Sequence, residues 1–103
     1  MKFIIFLYVH LITSVFGQIN WGNNNWATQC DFFLQDLSNA PTTNDQCGPK
    51  CLSTPRCTHF TWTSWNGGTC WMKYGQASKS KAFLTSDPTM VCGINPVSSS
   101  PNS

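Results

Sequence analysis

Charge is scarce in this chain of 103 residues. The sequence has no glutamate, four aspartates and six lysines and arginines, so charged residues make up only 10% of it. Domains that bind nucleic acid carry a patch or stripe of Lys and Arg, and no such cluster occurs here. The composition therefore predicts no nucleic-acid partner. It also lacks the basic amphipathic helix that would lie on an anionic lipid surface.

Long apolar runs are equally scarce, since the only one, Phe3 to Phe16, lies at the N-terminus. It follows Met1-Lys2 and ends at the small Gly17, which is typical of a signal peptide over residues 1–17. An uncleaved anchor is the alternative, but the run is shorter than the roughly 20 residues that cross a bilayer. We expect a secreted, extracellular product with no membrane span in the mature chain.

The mature chain has room for one domain. Residues 18–25 are rich in turn formers and predict a loose lead-in, and the polar, Ser- and Pro-rich residues 95–103 predict a disordered tail. The domain itself is expected over residues 26–94. A chain of this size buries little apolar surface and needs additional stabilisation.

Cysteine is abundant by contrast, and all six cysteines follow the predicted leader. An even number of cysteines in a small exported domain indicates disulfides, each worth ~2–4 kcal/mol. Zinc is the alternative, because the spacing Cys47-x3-Cys51-x5-Cys57-x12-Cys70 supplies four thiolates. An oxidising compartment favours disulfides, so we predict neither a metal nor a cofactor.

The pattern between the ends predicts both strands and a helix. Polar and apolar residues alternate from Trp26 to Phe33, as in a first strand. The composition of residues 39–44 predicts a turn. A short helix is expected over residues 45–53, capped by Asn44 or Asp45 and ended by Thr54-Pro55. Pro49 is tolerated only in the first turn, so the helix must begin near Gln46.

Two β-rich runs, 57–65 and 69–74, flank Asn66-Gly67-Gly68 and predict a hairpin. A two-residue loop at Asn66-Gly67 places Trp62 opposite Trp71, whereas a three-residue loop inverts one strand. In the two-residue register, the face toward the helix carries Cys57, Thr61, Cys70 and Met72. The opposite face carries Phe60, Trp62, Trp71 and Lys73.

The same geometry restricts the disulfide pairing. A helix projects Cys47 and Cys51 from one face, toward the two hairpin cysteines. Cys51 and Cys57 are close in sequence across the turn from helix to strand, which leaves Cys47 for Cys70. The outlying cysteines then join the ends of the domain. The predicted disulfides are Cys30–Cys92, Cys47–Cys70 and Cys51–Cys57.

The order of these motifs resembles that of a PAN/apple domain over residues 26–94. The matching segments are a strand cysteine, Asp36-Leu37-Ser38, Cys47-x-x-x-Cys51, Cys57-Thr-His-Phe60-Thr-Trp62, Gly68-Thr-Cys70-Trp71-Met-Lys73 and Met90-Val91-Cys92-Gly93-Ile94. The resemblance implies an α+β fold in which a curved antiparallel sheet cradles one short helix. Two disulfides would tie that helix to the sheet, and a third would join the termini.

The resemblance also implies an adhesion module that binds proteins or carbohydrates. We therefore expect a secreted, non-catalytic module with an extracellular glycan or protein ligand. The alternative is a stand-alone secreted inhibitor or effector that blocks a protein partner such as a protease. The candidate ligand-binding residues are Phe60, Trp62, Trp65, Asn66, Trp71 and Lys73. The competing interpretation is that Phe60, Trp62 and Trp71 are core.

Catalysis is not predicted. His59 is the only histidine after the leader, and the two-residue register directs it toward the helix side or an edge. No aspartate is near it in sequence, so a structural histidine is the preferred interpretation. The four aspartates form no evident acid/base pair, and paired cysteines offer no nucleophilic thiolate.

Overall fold

The computed structural model describes residues 17–96, and these residues form a small, disulfide-rich α+β domain. Except for Gly17, the predicted signal peptide lies outside the described residues, as does the predicted tail from residue 97. Within the described range there are seven strands and one α-helix. They are β1 (Trp26–Thr28), β2 (Cys30–Phe32), β3 (Asp36–Pro41), α1 (Cys47–Ser53), β4 (His59–Thr63), β5 (Thr69–Lys73), β6 (Ala82–Leu84) and β7 (Val91–Ile94).

The strands form two antiparallel sheets. Five of them pair in the order β1-β7-β4-β5-β3, and β2 pairs with β6 as a separate ribbon. The helix packs on one face of the five-stranded sheet, where Cys47 and Cys51 join Phe60, Met72 and their neighbours in one core cluster. The ribbon packs on the other face through a second cluster that contains Cys30, Phe32 and Cys92.

The predicted first strand is in fact two strands. Gln29 has φ of 61° and separates β1, which pairs with β7, from β2, which pairs with β6. Its backbone is held at the kink because its N–H donates to the Met90 carbonyl and its carbonyl accepts from the Thr85 N–H. The kink carries the chain from the five-stranded sheet to the ribbon. Alternation of residue type does not reveal such a change of direction.

The predicted turn over residues 39–44 is partly wrong, because β3 continues through Pro41. This strand is polar and lies at the edge of the five-stranded sheet, where it pairs only with β5. An edge strand needs no alternation of apolar and polar residues. A proline is acceptable there because an edge strand forms backbone hydrogen bonds with a neighbouring strand on one side only. Turn propensities at Asn39 and Pro41 therefore do not reveal strand β3.

The helix follows the prediction closely. It covers Cys47–Ser53, with Gln46 in the N-cap position and Thr54 in the C-cap position. Pro49 is thus the third helical residue, where its missing N–H removes no helical bond. The predicted cap is not used, because the helix has no side-chain cap hydrogen bond.

Three disulfides join the elements, in the pairs that the sequence predicted. Cys47–Cys70 and Cys51–Cys57 tie α1 to the sheet and to the turn before β4, with sequence separations of 23 and 6. Cys30–Cys92 links β2 to β7 across 62 residues. All six cysteines are at most 1% exposed.

The predicted hairpin register is wrong by one residue. Cys70 lies opposite Trp62, and Trp71 lies opposite Thr61. The cause is the loop, which runs from Ser64 to Gly68 and has an odd number of residues. Gly68 belongs to it because its φ is 122° and a Cβ there would lie 2.6 Å from the Thr42 carbonyl oxygen.

The shift exchanges the two faces of β4. Phe60 and Trp62 point toward the helix, in the cluster that contains Cys70 and Met72. Thr61 and His59 lie on the ribbon face instead, so the predicted orientation of both residues is reversed.

Both ends of the described chain are packed on the domain. Ile19 and Trp21 contact the ribbon-side cluster, so the lead-in is not loose throughout. Asn95 is 6% exposed, and its side-chain amide donates to the Cys57 carbonyl at 3.2 Å. Asn95, which the sequence predicts to lie in the tail, is thus packed on the domain.

Candidate functional site

The structure divides the predicted binding surface between two faces. Phe60 and Trp62 lie on the helix side, and Trp71 and Lys73 lie on the ribbon side, as the register requires. Trp65 and Asn66 lie in the loop that joins β4 to β5. The six residues therefore do not form one continuous aromatic face.

Phe60 is part of the packed interior, and Trp62 is partly buried against it. Phe60 is 5% exposed, and Trp62 packs against the helix-side cluster. The Trp62 indole N–H donates to the Thr42 carbonyl at 2.8 Å, which fixes the ring between the hairpin and the segment before the helix. Phe60 is therefore a core residue, and Trp62 packs on the core as a partly buried side chain.

Trp65 and Trp71 form the accessible aromatic pair. Their ring centroids are 5.9 Å apart and the rings are tilted by 45°. Trp65 is 63% exposed, because the loop carries it beyond the sheet. Trp71 is half-buried, and its indole N–H donates to Thr63 Oγ1 at 2.9 Å. Asn66 lies exposed at the loop tip with φ of 55°.

Lys73 is buried and serves as an anchor for a neighbouring turn. Its side chain is 5% exposed, and its Nζ donates to Asp36 Oδ1 at 2.6 Å and to the Leu34 carbonyl at 3.0 Å. The turn that it holds is strained, since Leu34 and Gln35 have φ of 62° and 64°. Non-glycine residues adopt this left-handed region only at a cost. Lys73 therefore positions this turn and is not a free cation.

A groove of about 350 Å³ lies beside Trp71 on the ribbon face. We refer to it as the Trp71 groove. It combines an aromatic wall, exposed apolar groups, two carboxylates and hydroxyl groups. Its lining residues are Asp31, Phe32, Phe33, Leu34, Asp36, Thr61, Thr63, Trp71 and Lys73.

The polar groups of the groove are held in place. Asp31 Oδ1 accepts from the Thr61 hydroxyl and from the Phe32 N–H, each at 2.7 Å. Asp36 is fixed by Lys73 and is 55% exposed. Positioned carboxylate oxygens accept hydrogen bonds from hydroxyl groups of a ligand.

Sequence reasoning missed much of this groove. Asp31, Asp36, Phe33 and Leu34 were not assigned to a site, although Phe33 is 74% and Leu34 is 64% exposed. The only signal for them was that the two aspartates flank Phe32-Phe33-Leu34. The break at Gln29, which turns β2 onto the ribbon face, was needed to bring them to Trp71.

His59 has a structural environment. It is 2% exposed, its Nδ1 lies 2.8 Å from the Thr58 hydroxyl, and the Phe32 ring packs against it edge-on with centroids 4.8 Å apart. Burial and the positive charges of Lys73 and Lys81 lower its pKa from 6.5 to about 4. The ring is thus neutral near pH 7, and it does not line the Trp71 groove.

Residues 17–96 contain neither of two other kinds of site. No group of three or more His, Cys, Asp or Glu residues within that range is placed to hold a metal ion. None of its helices has both the length and the apolar character needed to cross a membrane. Comparisons with protein-family models, with curated proteins and with solved structures find no match.

Proposed function

We propose that this domain is a secreted, apple-like binding module that recognises extracellular carbohydrate without catalysis. The observation that carries the proposal is the exposed indole of Trp65 beside Trp71, at the border of a groove with two positioned carboxylates. A tryptophan that is 63% exposed gains little from folding. A ligand that covers it removes that apolar surface from water.

The chemistry of the Trp71 groove suits a sugar. The C–H-bearing face of a pyranose ring is flat and apolar, so it can lie on an indole and bury area on both partners. Its hydroxyl groups can then donate to Asp31 and Asp36, whose carboxylates already have fixed positions. A largely uncharged ligand also agrees with the low charge of the chain.

Secretion and the apple-like family are parts of the same proposal. Three disulfides support an oxidising compartment, since such bonds are rare in the cytosol. A helix tied to an antiparallel sheet by Cys47–Cys70 supports the likeness to an apple domain, as does the bond between Cys30 and Cys92. The absence of catalysis is supported by the buried, neutral state of His59.

The second candidate function is a secreted blocker of a protein partner, such as a protease. Phe33 and Leu34 favour it, because both are exposed apolar side chains on a turn that Lys73 holds rigid. Rigid apolar projections are typical anchors in protein interfaces.

A glycan array that includes wall polysaccharides separates these functions. We expect selective binding that Trp65→Ala abolishes, with unchanged circular dichroism and thermal unfolding. Trp26→Ala is the matched control, because Trp26 is also about half exposed but lies on the helix side of the sheet. No glycan binding, together with capture of one protein that depends on Phe33 and Leu34, would favour the second function.

A further inference from the structure

A separate concave surface lies on the helix side of the five-stranded sheet, on the face opposite the Trp71 groove. It consists of two adjoining concavities of about 380 and 330 Å³. Trp26, Gly48, Pro49 and Phe60 line both of them. We call this surface the helix-side cleft. It is present because the seven-residue helix packs mainly over β4 and β5 and leaves Trp26 of β1 half exposed.

The interior of the cleft is largely apolar. Trp26 is 50% exposed, although it lies in a strand of the sheet. Gly48 and Gly93 both face the Phe60 ring, so no side chain from either residue projects over it. The Trp26 ring and Pro49 thus offer surface that a planar apolar group can cover, above the buried Phe60 ring.

Charge at the cleft has one sign. Thr28, Asn44 and Asp45 line the larger concavity, and Asp45 is the only charged residue among the described residues that line either one. The Asp45 carboxylate is oriented, because its Oδ1 accepts from the Thr43 hydroxyl at 2.6 Å. An anion at one end of an apolar cleft complements a ligand with a flat body and a cationic end.

We propose that the helix-side cleft binds a small aromatic amine. Its ring lies against Trp26 and Pro49, and its ammonium group lies at Asp45. The larger concavity, about 380 Å³, is at the lower end of the ~300–1,000 Å³ range of small-molecule sites, so one compact ring system fills it. The Trp71 groove lies on the other face of the sheet, so this inference does not depend on carbohydrate binding.

Titration of the full protein with three indole compounds tests the proposal. Tryptamine carries the cation, indole is neutral, and indole-3-acetate carries an anion on the same ring. In two-dimensional amide NMR we expect saturable shifts at Trp26 and Gly48 with tryptamine. An exposed charge pair is worth up to ~1 kcal/mol, so tryptamine should bind about fivefold more tightly than indole, and indole-3-acetate should bind most weakly.

Two variants assign the contributions of ring and charge. Asp45→Asn should remove the preference for tryptamine over indole and leave indole binding unchanged. Trp26→Ala should weaken the binding of all three compounds, whereas Trp26→Phe, which keeps an aromatic ring, should retain most of the affinity. Trp65→Ala, on the other face, should have no effect.

Several results would overturn the proposal. They are equal affinity for tryptamine and indole-3-acetate, an Asp45→Asn variant with an unchanged preference, shifts located away from the cleft, or no saturation at millimolar ligand. Retained glycan binding in the same sample would show that such a failure belongs to the cleft alone.

Discussion

The Phe60 ring occupies the space into which a side chain of Gly93 would project. A Cβ built on Gly93 lies 2.5 Å from Phe60 Cζ and 2.9 Å from the Asn25 carbonyl oxygen. Gly93 is paired with Phe60 across β4 and β7, so both residues lie on the helix side of the sheet. The missing side chain therefore lets Phe60 lie flat in the core.

We expect Gly93→Ala to destabilise the domain by ~1–3 kcal/mol, the usual cost of adding a group to a packed core. Neither neighbour gives way easily, since one is a backbone carbonyl and the other is a ring that is 5% exposed. Urea unfolding measures the change as a lower midpoint.

Gly48→Ala is the matched control. Its Cβ would approach the same Phe60 atom at 3.4 Å, close to an ordinary contact. Alanine also gains up to ~1 kcal/mol over glycine in a helix, so this variant should be neutral or more stable. Equal losses from both substitutions would contradict the account of Phe60 packing.

The disulfides should differ in their contribution to stability. In the chain-entropy model, a bond that closes a longer loop restricts the unfolded chain more. Removing Cys30–Cys92, with a sequence separation of 62, should cost roughly 4 kcal/mol, and removing Cys51–Cys57, with a separation of 6, roughly 2 kcal/mol. Paired Cys→Ala variants compared by urea unfolding measure this difference. The reverse order would show that native packing around the bonds outweighs loop entropy.

Sequence reasoning predicted the features that depend on local spacing. The helix at Cys47–Ser53 follows from Pro49 and from the stop at Thr54-Pro55, which are local steric constraints. The disulfide pairs follow from the four-residue spacing of Cys47 and Cys51 and from the short link to Cys57. The disulfide prediction used a hairpin register that is wrong, but its result holds because Cys57 lies before β4 and Cys70 still faces the helix.

The binding surface depended on the pairing of β4 with β5 and was therefore predicted only in part. Three successive loop residues, Asn66, Gly67 and Gly68, adopt positive φ, and this lengthens the expected two-residue loop. Gly68 lies close to Thr42, 26 positions earlier, whose carbonyl oxygen leaves no room for a Cβ on Gly68 and whose N–H donates to the Gly68 carbonyl. Since no local pattern reports such a contact, Phe60 and Trp62 were assigned to the wrong face.

Lys73 should control the turn that borders the Trp71 groove. Lys73→Met removes the donor to Leu34 and Asp36, so the left-handed residues Leu34 and Gln35 lose their support. The Tyr74 N–H donates to the Gln35 carbonyl at 3.0 Å and reports on this turn. We expect faster hydrogen exchange at the Tyr74 amide and a stability loss of ~1–3 kcal/mol.

Lys50→Met is the control for this experiment, because Lys50 lies exposed on the helix. It should leave both the Tyr74 amide and the stability nearly unchanged. If Lys73→Met leaves Tyr74 exchange at the original rate, the turn is rigid without Lys73.

His59 should make the domain less stable in mild acid. Burial is the main cause of its lowered pKa, and the positive charges of Lys73 and Lys81 add to it. The unfolded chain, with a histidine pKa near 6.5, takes up a proton at a higher pH than the folded domain, whose value is about 4. The free energy of unfolding is therefore not reduced by His59 above pH 6.5, and it decreases as the pH falls from 6.5 toward 4.

Because unfolding takes up at most one proton at His59, the free energy of unfolding can change by at most about 1.4 kcal/mol per pH unit. Urea unfolding between pH 5 and 7 is the appropriate measurement, because the pKa of 6.5 for the unfolded-state histidine lies within that range and the folded-state value of about 4 lies below it. His59→Gln should lower stability at pH 7 but remove most of the pH dependence in this interval. A slope that persists in His59→Gln would assign the acid sensitivity to another group, and a flat profile in the unsubstituted protein would mean that His59 accepts a proton without opening the core.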